Sequence, residues 1–79
     1  MAKQTKVERL ILMNEAVHAL LHDRKTIQWH EFSGVCAKVV KIEPKGYMEV
    51  RGVLQNFINC GILVRTDDLR VEEYTIAHI

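Results

Sequence analysis

The spacing of apolar positions along this chain changes several times, and each change marks an element. In "TKVERLILMNEAVHALLHDRK", Val7, Leu10, Ile11, Val17 and Leu21 recur at the spacing of one helix face, and Leu12, Met13, Ala16 and Leu20 widen it. Thr5 suits the N-cap, with Glu8 three residues on as its capping-box partner, and Arg24 and Lys25 suit the negative end of the helix dipole. A first helix is expected over 6–22. Its apolar arc is wide enough to need two covers: a β-hairpin on the second side, or a dimer seam along Leu12, Met13, Ala16 and Leu20.

The pattern then shortens. "KTIQW" is brief and β-branched at two positions, which suits one edge strand. In "HEFSGVCAKVVKI", Phe32, Cys36, Val39 and Val40 return to a helical spacing, weakened by Gly34. Pro44 and Gly46 end that run, because the residue before a proline avoids the helical region and glycine supplies a turn. A third helix is expected over about 47–60, with a buried stripe of Val50, Val53, Leu54, Phe57 and Ile58 and Gly61 as the residue that stops it. "ILVRT" and "RVEEYTI" then read as a hairpin about Asp67 and Asp68.

The fold class expected from this order is α+β, mainly α. Helix, short strand, two neighbouring helices and a closing hairpin resemble the winged helix-turn-helix domain. The stretch "VLQNFINCGILVRTDDLRVEEYTI" is similar to that family's closing module of recognition helix, glycine and β-hairpin wing, and the likeness runs from about Val7 to Ile76. The resemblance implies a three-helix domain with a C-terminal wing and a third helix placed to enter a DNA major groove.

The side of the third helix opposite its apolar stripe gives that implication chemical content. Met48, Glu49, Gly52, Gln55, Asn56 and Asn59 lie there, with Arg51 at one flank. Asn and Gln can pair hydrogen bonds with adenine, and Arg with guanine, in the major groove. Lys38, Lys41 and Lys45 are the candidates to clamp phosphates. The candidate DNA-binding set is therefore Arg51, Gln55, Asn56, Asn59, Lys38, Lys41 and Lys45. Each also fits an ordinary side chain on a solvated face. The wing departs from a basic pattern: Asp67, Asp68, Glu72 and Glu73 stand against Arg65 and Arg70, and carboxylates near phosphates repel.

Composition narrows the remaining classes. With 79 residues the chain is expected to be one domain over 1–79, residues 1–5 being a flexible tail. It opens with Met and ends just after a strand-like run, so a complete small protein is expected. Eleven basic and ten acidic side chains give a net charge of +1, which is no electrostatic signature of nucleic-acid binding and no exclusion of it. No run approaches the ~18 apolar residues of a membrane span, and no signal peptide is visible. Cys36 and Cys60 lack metal spacing and read as reduced, buried thiols in a cytoplasmic protein. His18 and His22 share a helix face but find no third ligand, so no metal is expected. Trp29 and Phe32 read as core or as a helix staple. No phosphate loop, carboxylate pair or catalytic triad is present, so neither enzyme activity nor a cofactor is expected.

Two functions follow as expectations. The first is a small, dimeric DNA-binding transcriptional regulator reading the major groove with its third helix. The alternative is a winged-helix protein-interaction module that binds and modulates a nucleic-acid-processing or regulatory protein.

Overall fold

A computed structural model of the chain describes residues 5–42, 47–68 and 70–77. Among the described residues three helices and three strands follow in the order α1 (Lys6–Leu21), β1 (Thr26–Gln28), α2 (Trp29–Val39), α3 (Tyr47–Asn59), β2 (Leu63–Arg65) and β3 (Glu73–Ile76). The protein is thus mainly helical with a small antiparallel sheet, an arrangement compatible with a winged-helix-like fold. The turn expected at Pro44 and Gly46, and Lys45 between them, lie outside the described residues, as does most of the expected N-terminal tail.

The start of α1 forms as its sequence dictates. Thr5 accepts from the backbone N–H of Glu8 at 3.1 Å, and the Glu8 carboxylate accepts from the Thr5 N–H at 3.4 Å, so two orphan donors are satisfied reciprocally. At the other boundary of interest, Gly61 has φ +79. That left-handed conformation is natural for glycine just past a helix, and it lets the Ile62 N–H bond back to the Phe57 carbonyl at 3.0 Å. The chain leaves α3 there and enters β2.

The sheet has the order β1-β3-β2. Ile27 faces Tyr74 across the β1–β3 ladder, and Leu63 faces Ile76 across β2–β3. The short strand read from "KTIQW" therefore does not stand apart; it pairs with the returning strand of the hairpin. One further bond extends this ladder into α2: the Trp29 N–H donates to the Glu72 carbonyl at 2.9 Å. It ties the first residue of α2 to the hairpin.

The core lies where the three helices meet the sheet. It contains Met13, Val17 and Leu21 from α1, Phe32 and Cys36 from α2, Val50, Val53, Leu54 and Phe57 from α3, and Ile27, Val40, Leu63 and Tyr74. Phe32 meets Phe57 edge-on with ring centroids 6.1 Å apart, a geometry that suits the aromatic quadrupole.

Several expected positions shift. Met13 is 0% exposed, so it belongs to this core and is not available to a dimer seam. Leu12, Ala16 and Leu20 are half-buried, with Leu12 and Leu20 packed against the core. Val7 and Ile11, expected on the buried face, are 64% and 50% exposed. The wide arc explains this: Met13, Val17 and Leu21 at i, i+4, i+8 define its buried centre, and Val7 and Ile11 fall on its outer margin. On α2 the helix stops at Val39, which is 37% exposed, and Val40 reaches the core from extended backbone instead. Ile58 is only partly buried. Among the described residues no helix is long and apolar enough to cross a membrane.

Candidate nucleic-acid interface

The α3 surface follows from its own periodicity. Val50, Val53, Leu54 and Phe57 bury one side, so residues offset by about half a turn must face outward. Met48, Gly52, Gln55, Asn56 and Asn59 are all exposed and form one ridge. Gln55 donates through Nε2 to the Asn59 Oδ1 at 2.9 Å, an i,i+4 contact along the ridge. That bond uses the Gln55 NH2 and the Asn59 carbonyl, and not the Gln55 carbonyl or the Asn59 NH2. Asn56 lies on the other flank, in a shallow groove shared with Lys6, Leu10, Met48, Glu49 and Gly52.

Arg51 is held elsewhere. Its Nη1 and Nη2 both donate to the carboxylate of Glu72, the Nη2–Oε1 distance being 3.0 Å. The guanidinium also lies over the Trp29 ring, with Cζ 3.7 Å from the ring centroid. This is a cation–π contact at close range. Trp29 in turn stacks on Phe32 and meets Tyr47 edge-on. Tyr74 completes the group by donating its hydroxyl to Glu72 Oε2 at 2.6 Å.

Charge states follow from these contacts. Hydrogen bonding from Arg51 holds the Glu72 carboxyl below its ordinary range, and Glu72 in turn pushes the Arg51 guanidinium up. Burial first, and then the Glu72 carboxylate, raises the Tyr74 phenol. Above the acid range Glu72 is therefore a carboxylate with three donors.

The other expected cations are dispersed. Lys38 is exposed on α2 and lines a groove with Leu20, Arg24, His30, Glu31, Gly34 and Val35, on the side of α2 that meets the end of α1. Lys41 is exposed just beyond α2, and its backbone carbonyl accepts from Arg9 Nη2 at 2.8 Å. Of the candidate set, then, Gln55, Asn56 and Asn59 come together on the ridge. Arg51 turns from the ridge toward the hairpin, and Lys38 and Lys41 lie on or beside α2.

Some participants were not singled out from sequence. Arg9 joins α1 to α3 through a 3.0 Å bond from Nε to Glu49 Oε2, which neutralises an acid beside the ridge. Lys6 reaches the groove of Asn56. Arg9 acts across 40 residues of chain and Lys6 lies 50 from Asn56, and only helix packing brings them there. Trp29, read as core or staple, is half-buried against the core and also supports Arg51. The hairpin acids are also partly neutralised: Asp68 pairs with Arg70 at 3.1 Å, and Glu72 with Arg51. Arg65 lies with Cζ 5.6 Å from the Tyr74 ring centroid.

The two thiols differ. Cys36 is buried and burial pushes its thiol up to about 11, whereas Cys60, expected to be buried, is exposed at the end of α3. The stripe that buries Phe57 turns away one residue before Gly61, leaving Cys60 outside. His18 and His22 meet edge-on at 5.2 Å, but among the described residues no group of three His, Cys, Asp or Glu is placed to hold a metal ion. Comparison with protein-family models, with the curated proteins and with the solved structures finds no match to this chain.

Proposed function

We propose that this protein is a winged-helix DNA-binding module that regulates transcription by placing α3 in the major groove. The observation that carries the reading is the exposed amide ridge of Gln55, Asn56 and Asn59, on the helix that precedes the hairpin. Each amide carries a carbonyl beside an NH2, the pair that suits the N6 and N7 positions of adenine. The element order, with β1 pairing to the returning strand of the hairpin, supports the winged-helix assignment. Lys6 beside the ridge, and Lys38 on α2, are the phosphate contacts of this reading.

The acidic hairpin is a weaker obstacle than its composition suggests. Glu72 and Asp68 already spend their charge on Arg51 and Arg70. A single module of this size makes few base contacts, so the proposal includes two copies on a two-fold site. Selection from a random duplex library, followed by electrophoretic mobility at low salt, tests it. Enrichment of an adenine-containing site supports the reading; no shift with random or selected duplex removes it.

One observation favours a second reading as a protein-interaction module. Met48 is 83% exposed on the same ridge, and the ridge itself carries no cation. An adaptable thioether among amides suits a protein groove. A protein partner captured in equimolar amount, and lost on Met48→Glu, would support it over DNA.

A further inference from the structure

We propose that Glu72 acts as an internal competitor for nucleic acid: its carboxylate fills the guanidinium fork of Arg51 that a backbone phosphate of the duplex would otherwise take. This inference rests on the DNA-binding reading above and adds a restraint to it.

A guanidinium presents paired N–H groups in a plane, and carboxylate and phosphate accept from that fork in the same bidentate way. Glu72 uses both arms, Nη1 and Nη2. It is not there by side-chain chance. The Trp29 N–H holds the Glu72 backbone carbonyl at 2.9 Å, which anchors this hairpin residue beside α2. The Tyr74 hydroxyl, at 2.6 Å, then fixes which way the carboxylate points.

The lock is nevertheless open to exchange. The Arg51 side chain keeps 49% of its surface exposed, and it sits on the flank of the ridge next to Gln55 in helical projection. Exposed ion pairs are weak, because water and salt screen them. A duplex carries a dense row of phosphates whose pull is strongest at low salt. If Glu72 lets go, the guanidinium stays in place, because Trp29 supports its face at 3.7 Å independently of the carboxylate. The cation is thus positioned by one contact and neutralised by another. A purely structural pair would stabilise the fold without setting affinity for DNA.

Fluorescence anisotropy with a labelled duplex, at about 50 and 200 mM salt, tests this on the full chain. Four proteins are compared: the unmodified chain, Glu72→Gln, Asp67→Asn, and Glu72→Gln combined with Arg51→Gln. Asp67→Asn removes the same charge from the same hairpin and controls for general repulsion. Glu72→Gln should bind about fivefold tighter at the lower salt, as loss of a weak exposed pair permits. Its log–log salt slope should steepen by about one phosphate contact. Asp67→Asn should gain less, and Arg51→Gln should cancel the gain of Glu72→Gln. A gain no larger than that of Asp67→Asn, or one that survives loss of Arg51, overturns the proposal. If the unmodified chain binds through Gln55 and Asn59 while Glu72→Gln changes nothing, the competitor idea fails and the DNA reading stands. If no variant binds at low salt, both fail. A readout free of substitutions is the 15N–H signal of Arg51 Nε in the unmodified protein. It should move when duplex is added, and a signal unmoved at saturation overturns the proposal.

Discussion

The guanidinium carbon of Arg51 stands 3.7 Å from the centre of the Trp29 indole ring, so a side chain from α3 caps an aromatic that opens α2. The same guanidinium reaches the hairpin through Glu72. Three separate elements therefore meet at one arginine, and its removal should be felt in the fold. An exposed ion pair contributes up to ~1 kcal/mol and a surface cation–π contact about 0.5–1 kcal/mol. Arg51→Gln is expected to cost roughly 1 kcal/mol, lowering Tm by about 4–8 °C in a domain of this size. Arg51→Lys, which keeps the charge but loses the fork, should fall between. Thermal unfolding followed by circular dichroism checks the order.

Acid should weaken the fold through the carboxylates that arginines hold. Glu72, bonded by Arg51, and Glu31, bonded by Arg24, both titrate below the ordinary glutamate value of 4.5 when folded. A depressed carboxylate contributes stability that is complete above its unfolded value and is lost as pH falls through its folded value. Stability should therefore be level near neutrality and drop below about pH 4.5. Glu72→Gln should start lower at neutral pH, and the two curves should converge in acid. Parallel curves throughout urea titrations would show that Glu72 is not the group responsible.

The thiols provide a test of burial. Cys36 is enclosed and its thiol is pushed up to about 11, while Cys60 is open to solvent. Only the thiolate attacks an alkylating reagent, so Cys36 combines low access with little thiolate. Iodoacetamide on the native protein should label Cys60 and leave Cys36 until denaturant is added. Mass spectrometry after digestion reads the two sites separately, and equal rates would contradict the described core.

Two neighbouring positions on α1 should respond very differently to truncation. Met13 is 0% exposed and Ile11 50%. Met13→Ala is expected to cost about 2–5 kcal/mol, because the cavity cannot close fully. Ile11→Ala should lie within about 0.5 kcal/mol of the unmodified chain, as surface changes usually do. Denaturant melts of the two variants decide this.

Much of the scaffold was legible because it rests on local chemistry. The Thr5–Glu8 capping box, the stop at Gly61 and the stripe of Val50, Val53, Leu54 and Phe57 are each written within a few residues, and each is found. The misplacements share a cause. Val7, Ile11 and Met13 all satisfy the α1 period, and only the position of the neighbouring helices and sheet selects the buried arc from a wide apolar surface. The same holds for the site. The amide ridge of Gln55, Asn56 and Asn59 could be read from periodicity alone, since among the described residues nothing distant contacts those side chains through a hydrogen bond. Arg51 could not, because its partners Glu72 and Trp29 are more than twenty residues away on either side. Likewise the Arg9–Glu49 bond needs α1 and α3 in place before it exists.

DNA binding by this protein requires the α3 ridge to be the surface that meets the duplex. Two-dimensional 15N–1H spectra, recorded as a selected duplex is titrated in, test this directly. The side-chain NH2 signals of Gln55, Asn56 and Asn59 should shift most, with smaller changes along α2 near Lys38. Shifts confined to the α1 surface about His18 and His22, or no shifts at saturating duplex, would contradict it.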